Sequence, residues 1–399
     1  MKIVDTPPGL PSFENTEIAF RNKSKQDLER AYWLFQIISS NFLTTIGPPI
    51  TNFALNVGLP IKGIIRATIF RHFCGGETIE GCNKAIADLA AQGVGTILDY
   101  SVEGEDAEEV FDHTCEEIIQ TVRKAASNPK NIPFSVFKPT GVGAFDLYAK
   151  IQAGETLSAE EEAAYTRAKS RIDKICQLCH ELDVKVLVDA EHSWVQDVFD
   201  TLTLDMMRKY NREKAIVFNT YQIYRHDKLA SLKADFATAE AEGFYLGGKL
   251  VRGAYMEIER ERAEKMGYVD PIQPNKAATD RDYNLAVEFC LDHLDRISFM
   301  AGSHNEESNL LLASEMIKRN IPANHNHIYF AQLLGMSDHI SFNLAASGFN
   351  VAKYMPYGPV KAVMPYLFRR AQENTSVAGQ TGRELSLLKK EKARRKHSK

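Results

Sequence analysis

The chain has 399 residues, 44% of them hydrophobic and 25% charged, with a net charge of −4. That length exceeds one average domain and can bury a sizeable core, and the near-balanced charge gives no reason to expect a nucleic-acid partner. The six cysteines, Cys74, Cys82, Cys115, Cys176, Cys179 and Cys290, form no regular framework, so reduced thiols in a reducing compartment are expected.

In chain order, residues 1–90 read as helices. Within them Ala31–Ile61 carries no charge, but Gly47-Pro48-Pro49 breaks the run, and Gln36, Ser39, Ser40, Asn41 and Asn52 dilute it. A buried helical pair fits better than a membrane span. Asp5, Glu14 and Glu17 give the start an acidic character unlike an organelle transit peptide. A cytoplasmic protein is expected, able to lie peripherally on the inner face of the membrane.

From Gly93 the pattern changes to short β-branched and aromatic runs separated by amphipathic stretches. The runs are GVGTILDY, NIPFSVFKP, DVKVLVDAE, KAIVFNTYQ, FYLGGKLVRGAY, RISFMAGSHN, HIYFAQLLG and FNVAKYMPYG. Between them lie stretches such as EDAEEVFDHTCEEIIQTVRKAA and EESNLLLASEMIKRN. Eight strands alternating with helices predict an α/β fold closed as a (βα)8 barrel, with 91–380 as its catalytic domain. A doubly wound open sheet is the other arrangement with this alternation. Its G-x-G-x-x-G signature is absent, because Gly93 and Gly95 are followed by Leu98. Cys176, Cys179 and His180 spell C-x-x-C-H, yet they sit in an amphipathic helical stretch and read as two thiols on a helix. The last residues, 381–399, read as a basic, disordered tail.

Barrel enzymes carry their chemistry at the carboxyl ends of the strands. Here these ends hold Asp99 and Glu103, Lys138, Asp189 and Glu191, Gln222, then Lys249, Arg252 and Tyr255. Ser303-His304-Asn305, Gln332-Leu333 and Tyr354 follow. Charge gathered at one rim of an apolar core is costly unless it is used, which points to an enzyme. Each residue also has a plainer reading: Lys138 as a solvated strand end, Asp189 as a helix cap, His304 as an ordinary rim residue. No H-x-H, H-E-x-x-H or carboxylate triad is present, so no catalytic metal is expected. After Gly358 a final helix is predicted, in which Tyr366, Arg369, Arg370 and Glu373 share one broad face. Paired guanidinium groups suit a bidentate grip on an anion, and the preceding MPYLF makes the face apolar as well as cationic. That combination suits a small molecule with an anionic head and a hydrocarbon body.

LVDAE, KLVRGAY, SHN, YMPYG and PYLFRRAQENTS, in this order from about Asp99 to Ser376, together resemble proline dehydrogenase. The resemblance implies a distorted (βα)8 barrel with non-covalent FAD, its last helix over the barrel mouth. It implies oxidation of L-proline to 1-pyrroline-5-carboxylate by hydride transfer to FAD, with electrons passed to a quinone. On that pattern Arg369, Arg370 and Lys138 hold the substrate carboxylate, and Glu103 orients the first arginine. Tyr255, Leu333, Tyr354 and Tyr366 wall the ring. Asp189 and Lys249 take the catalytic positions beside the flavin. Ala190, Gln222, Lys249, Arg252, Gly253, Ala254, Ser303, His304 and Glu373 contact FAD. Many bacterial members carry Arg first and Lys second around LVxGAY, whereas here Lys249 comes first and Arg252 second.

Three other readings compete. A hydroxyproline dehydrogenase of the same fold needs room for a ring hydroxyl, which bulky Tyr354 opposes. A Schiff-base barrel lyase would use Lys138. A non-catalytic interaction protein, or weak membrane contact, would draw on the basic tail KKEKARRKHSK.

Overall fold

The computed structural model describes residues 9–38, 62–102, 106–367 and 380–397. Eight strands run β1 (Val94–Tyr100), β2 (Phe134–Phe137), β3 (Lys185–Val188), β4 (Val217–Gln222), β5 (Leu246–Val251), β6 (Ile297–Gly302), β7 (Ile328–Leu333) and β8 (Val351–Tyr357). They follow one another in sequence order as a closed barrel, as predicted. All eight lie inside the runs picked from the sequence. The chain divides into two compact units, one comprising Met1–Leu10 with Gly104–Ala331 and the other Pro11–Glu103 with Gln332–Lys399.

In the first unit the parallel ladder is continuous from β2 to β6, and β6 pairs with β7. Strands covered on both faces should be apolar throughout, and β2 and β4 are buried at every position. Gly247 is required where β4 and β5 approach: a Cβ there would stand 2.3 Å from the Val217 carbonyl oxygen. Three of the helices between strands begin at side-chain caps. Ser158 and Glu161 form a reciprocal capping box at Ala159–Glu181. Asn275 and Asn305 cap Lys276–Asp292 and Glu306–Lys318. Cys176 and Cys179 are both buried on the Ala159–Glu181 helix, and burial pushes their thiols upward in pKa. They are the packed helix residues of the plainer reading.

In the second unit β1 pairs in parallel with β8, placing Ile97 opposite Tyr354. Two chain-end segments pack together here. The tail expected to be disordered instead forms the helix Gln380–His397. Its Leu387 and Leu388 are buried against Phe20, Leu28, Ala31 and Phe35. Much of the basic run is ion-paired within the unit: Lys390 pairs with Glu14, Lys392 with Glu29, and Arg394 and Arg395 with Glu391. The apolar pair in ELSLLKK drives the docking, and ion pairs then order the charges. The uncharged Ala31–Ile61 segment is described only as far as Ile38, the end of the Lys25–Ile38 helix; residues 39–61 lie outside the described residues.

His72 packs edge-on against Phe35 and Phe73, and its Nε2 lies 2.9 Å from the Gly335 carbonyl oxygen. Burial, helped by the Lys23 ammonium, pushes its pKa from 6.5 down to about 4. Asp338 opposes this shift and Lys353 reinforces it. Between these values the unfolded chain binds more protons than the folded one, so stability falls as pH is lowered through that window. The thermal midpoint should therefore drop more steeply between pH 6.5 and about 4 in the wild type than in His72→Gln. Parallel pH profiles would show that His72 takes up its proton without penalty.

Candidate active site

In the first unit, the carboxyl ends of β2 to β5 are tied together by side chains. Asp189 follows β3, and its N–H donates to the Phe137 carbonyl of β2 at 2.9 Å. Lys249, buried on β5, donates through Nζ to Asp189 Oδ1. Both members of this pair are largely withdrawn from water, so each needs the other. Glu191, two residues further on, is buried. Thr140 Oγ1 donates to its two carboxylate oxygens at 2.8 and 3.0 Å, and the Thr140 N–H lies at 3.4 Å. Burial pushes Glu191 above the usual carboxylate range, and the charge of Lys138 opposes that shift.

The backbone of Glu191 is fixed as well. Its N–H donates to Gln196 Oε1 at 2.8 Å, and its carbonyl accepts from Gln222 Nε2 at 2.6 Å. The same Gln222 nitrogen meets the Tyr224 hydroxyl at 2.9 Å. The loop after β2, the turn after β3 and the end of β4 thus share one polar network, which places Lys138, Asp189, Gln222 and Lys249 around a common rim. Ala190 lies between the two fixed carboxylates.

After β5 the chain turns through Gly253, whose φ of 48° is left-handed and suits glycine. Arg252 is largely withdrawn from water, with Nη1 on Asp280 at 2.6 Å, Nη2 on Ser308 at 3.0 Å and the guanidinium 4.4 Å over the Tyr283 ring. Its Nε is buried and meets no hydrogen-bond acceptor among the described residues. Ala254 is exposed, and Tyr255 packs 4.4 Å from the His192 ring. His192 stacks on Trp194 at 4.4 Å, and Arg262 lies 4.3 Å over that indole. Glu259, buried beside them, accepts from the N–H and hydroxyl of Ser193 at 2.6 and 2.5 Å. At the end of β6, Ser303 is buried, its N–H on the Ala331 carbonyl at 3.2 Å, and His304 is half-buried. Lys249, Arg252, Gln222 and Ser303 form a donor-rich set beside a glycine turn. Such a set can hold a planar, anionic cofactor.

In the second unit, Leu333 ends β7 and is partly buried against a cluster containing Phe70, Phe73, Met336, Val363, Tyr366 and Leu367. Tyr354 is buried on β8, and the Leu334 N–H donates to its carbonyl at 2.8 Å. The helix predicted after Gly358 is described at 364–367, and the last described helix is instead Gln380–His397. Glu103, Arg369, Arg370 and Glu373 lie outside the described residues.

Residues 82–383 match the family described as Proline dehydrogenase. The chain belongs to the proline dehydrogenase family. It is 34% identical to "Proline dehydrogenase 1, mitochondrial" of Dictyostelium discoideum, over 96% of this chain and 74% of that protein. It is 39% identical to "Hydroxyproline dehydrogenase" of Xenopus laevis, over 62% of this chain and 54% of that protein. Among solved structures it resembles proline utilization A from Bdellovibrio bacteriovorus, with a TM-score of 0.73 and 20% identity over 93% of this chain. The chain spans 40% of that structure's length, and the likeness bears on the barrel fold.

Sequence reasoning for this proline dehydrogenase family member missed Thr140, Gln196, Tyr224 and the His192–Trp194–Glu259–Arg262 group. Only Thr140 carried a signal, two residues after Lys138 at a strand end. Thr140→Val removes both hydroxyl contacts to the buried Glu191 carboxylate. It should cost about 1–3 kcal/mol in denaturant unfolding at neutral pH, with Thr140→Ser restoring most of it. Equal stability of the valine variant would mean that Glu191 is satisfied without the hydroxyl.

Proposed function

We propose that the chain oxidises L-proline to 1-pyrroline-5-carboxylate, with FAD as the immediate acceptor and a quinone as the final one, the 91–380 region being catalytic. Membership of the family over residues 82–383 carries this reading. The donor set at the ends of β4, β5 and β6 supports the cofactor: the buried, unpartnered Nε of Arg252 suits an anionic group, and the Gly253 turn lets one approach the backbone. Lys249, Arg252, Gly253, Ala254, Ala190, Gln222, Ser303, His304 and Glu373 would hold FAD. When bound, FAD supplies the two-electron acceptor for a ring hydride, which no side chain can provide.

The chain's own part is orientation. Arg369, Arg370 and Lys138 would clamp the proline carboxylate, with Glu103 orienting the first arginine. Leu333, Tyr354, Tyr366 and Tyr255 would pack on the ring and keep water from it. A substrate held at its anionic head and along its apolar body has one ring edge left to react, which is orientation catalysis. Asp189 fixes where the Lys249 ammonium sits. The bulk of buried Tyr354 favours proline over hydroxyproline. A hydroxyproline substrate is the second reading, and the 39% identity to the Xenopus protein is what favours it.

Arg369→Met and Arg370→Met should each lower kcat/KM for L-proline while FAD is retained. The loss should be about 2–5 kcal/mol, the usual cost of removing one partner of a buried charge pair. Near-normal kcat/KM in both variants would reject the clamp, and a wild-type preference for 4-hydroxyproline in the same assay would favour the second reading.

A quinone acceptor dissolved in lipid calls for peripheral contact with the membrane's inner face. Among the described residues no helix is long and apolar enough to cross a membrane. The tail expected to supply the charge is largely ion-paired within its own unit, so the proposed contact moves to the Lys25–Ile38 helix. There Trp33 is 59% exposed. Aromatic side chains of this kind favour the lipid–water interface. Trp33→Ala should reduce co-sedimentation with anionic vesicles. Unchanged co-sedimentation would remove this helix from the account.

A further inference from the structure

Lys353 immediately precedes Tyr354 on β8 and is fully buried. Its ammonium donates to the carbonyl oxygens of Leu333 at 3.3 Å and Met336 at 2.7 Å, and to Asp338 Oδ1 at 2.8 Å. The other oxygen of Asp338 pairs with Lys23 at 3.0 Å. Burial pushes the Asp338 carboxyl up, but the two ammonium groups outweigh it and hold the acid well below its usual range.

The same turn is held from the C-terminal helix. Glu384, buried, accepts the Ser337 N–H at 2.6 Å and lies 3.9 Å from His339 Nδ1. Ser337 sits at φ 51°, a left-handed conformation that a non-glycine residue keeps only when its surroundings over-determine it. Gly335, two residues earlier, is at φ 77°; a Cβ there would stand 2.4 Å from the His72 carbonyl oxygen. The turn that directly follows Leu333 is therefore gripped by β8, by Lys23 and His72 of the N-terminal segment, and by Glu384 of the last helix. Met336, within this turn, packs in the same apolar cluster as Leu333 and Tyr366.

We propose that Glu384 is a positioning residue for the substrate pocket. Through the Ser337 turn, the C-terminal helix sets where Leu333 and Tyr354 stand and so how tightly the substrate ring is held. This rests on the reading above that Leu333 and Tyr354 wall the ring. The two chain ends are then part of the specificity apparatus, although no residue of the last helix need touch substrate.

The test compares the full-length, FAD-loaded wild type with Glu384→Ala and Glu384→Gln. Alanine removes the acceptor for Ser337, whereas glutamine keeps one in its amide oxygen. Glu384→Ala should raise KM for L-proline about fivefold with kcat within about twofold, the pattern of lost ground-state positioning. Glu384→Gln should return KM most of the way. Amide hydrogen exchange over Leu334–Asp338 should speed up in the alanine variant and stay at the wild-type rate in the glutamine variant. An unchanged KM with unchanged exchange in Glu384→Ala overturns the proposal, as does an equal loss of activity in both variants. The exchange arm needs no substrate. A wild type that turns over no proline would reject the proposed function, while exchange over Leu334–Asp338 would still decide whether Glu384 braces the turn.

Discussion

Lys249 and Asp189 meet at the ends of β5 and β3, where neither has enough water to stand alone. A charge in that position must find an opposite charge or a set of dipoles, because an uncompensated buried ion costs several kcal/mol. The first unit is arranged around this requirement. Glu191 takes its hydrogen bonds from Thr140, and its backbone is fixed by Gln196 and Gln222. The polar groups at the strand ends are thereby locked to one another before any ligand arrives. Sites that hold reactive geometry without reorganising gain most from such locking.

The second unit meets the same constraint with residues from several elements. Lys353 is fully buried and satisfied by two carbonyls and Asp338, and Asp338 is shared with Lys23. Glu384 completes the turn from the other end of the chain. Breaking one member of such a group leaves its partners buried without compensation, so the cluster joins the chain termini to the strand that carries Tyr354. The helix Gln380–His397 owes its order to this cluster and to Leu387 and Leu388 together.

The strands were legible because a closed parallel barrel buries both faces of its sheet. VGTILDY and VFNTYQ can be read as strands without knowing their partners, and the charged or amide residue at the end of each run marks the rim. Asp189, Lys249 and Gln222 were found in this way. Glu191's dependence on Thr140 was not, since a threonine after Lys-Pro looks like any loop residue. The Lys23–Asp338–Lys353–Glu384 cluster was invisible for a different reason: periodicity reports a residue's own face and says nothing of which residue on another element will meet it. The tail was misread because its lysines and arginines dominate the composition, while the two leucines that dock it occupy a single turn. Arg369, Arg370 and Glu373 were legible within PYLFRRAQENTS and Glu103 as an acid at a strand end; all four lie outside the described residues.

The central claim is that the rim built on Lys249, Asp189 and Gln222 holds a flavin that accepts a hydride from proline. Anaerobic titration of the purified holoprotein with L-proline, followed in the visible spectrum, tests it most directly. The account predicts a yellow protein whose flavin absorbance bleaches with saturable dependence on proline. A colourless protein that cannot be loaded with FAD, or a flavin spectrum that proline leaves unchanged, would contradict it.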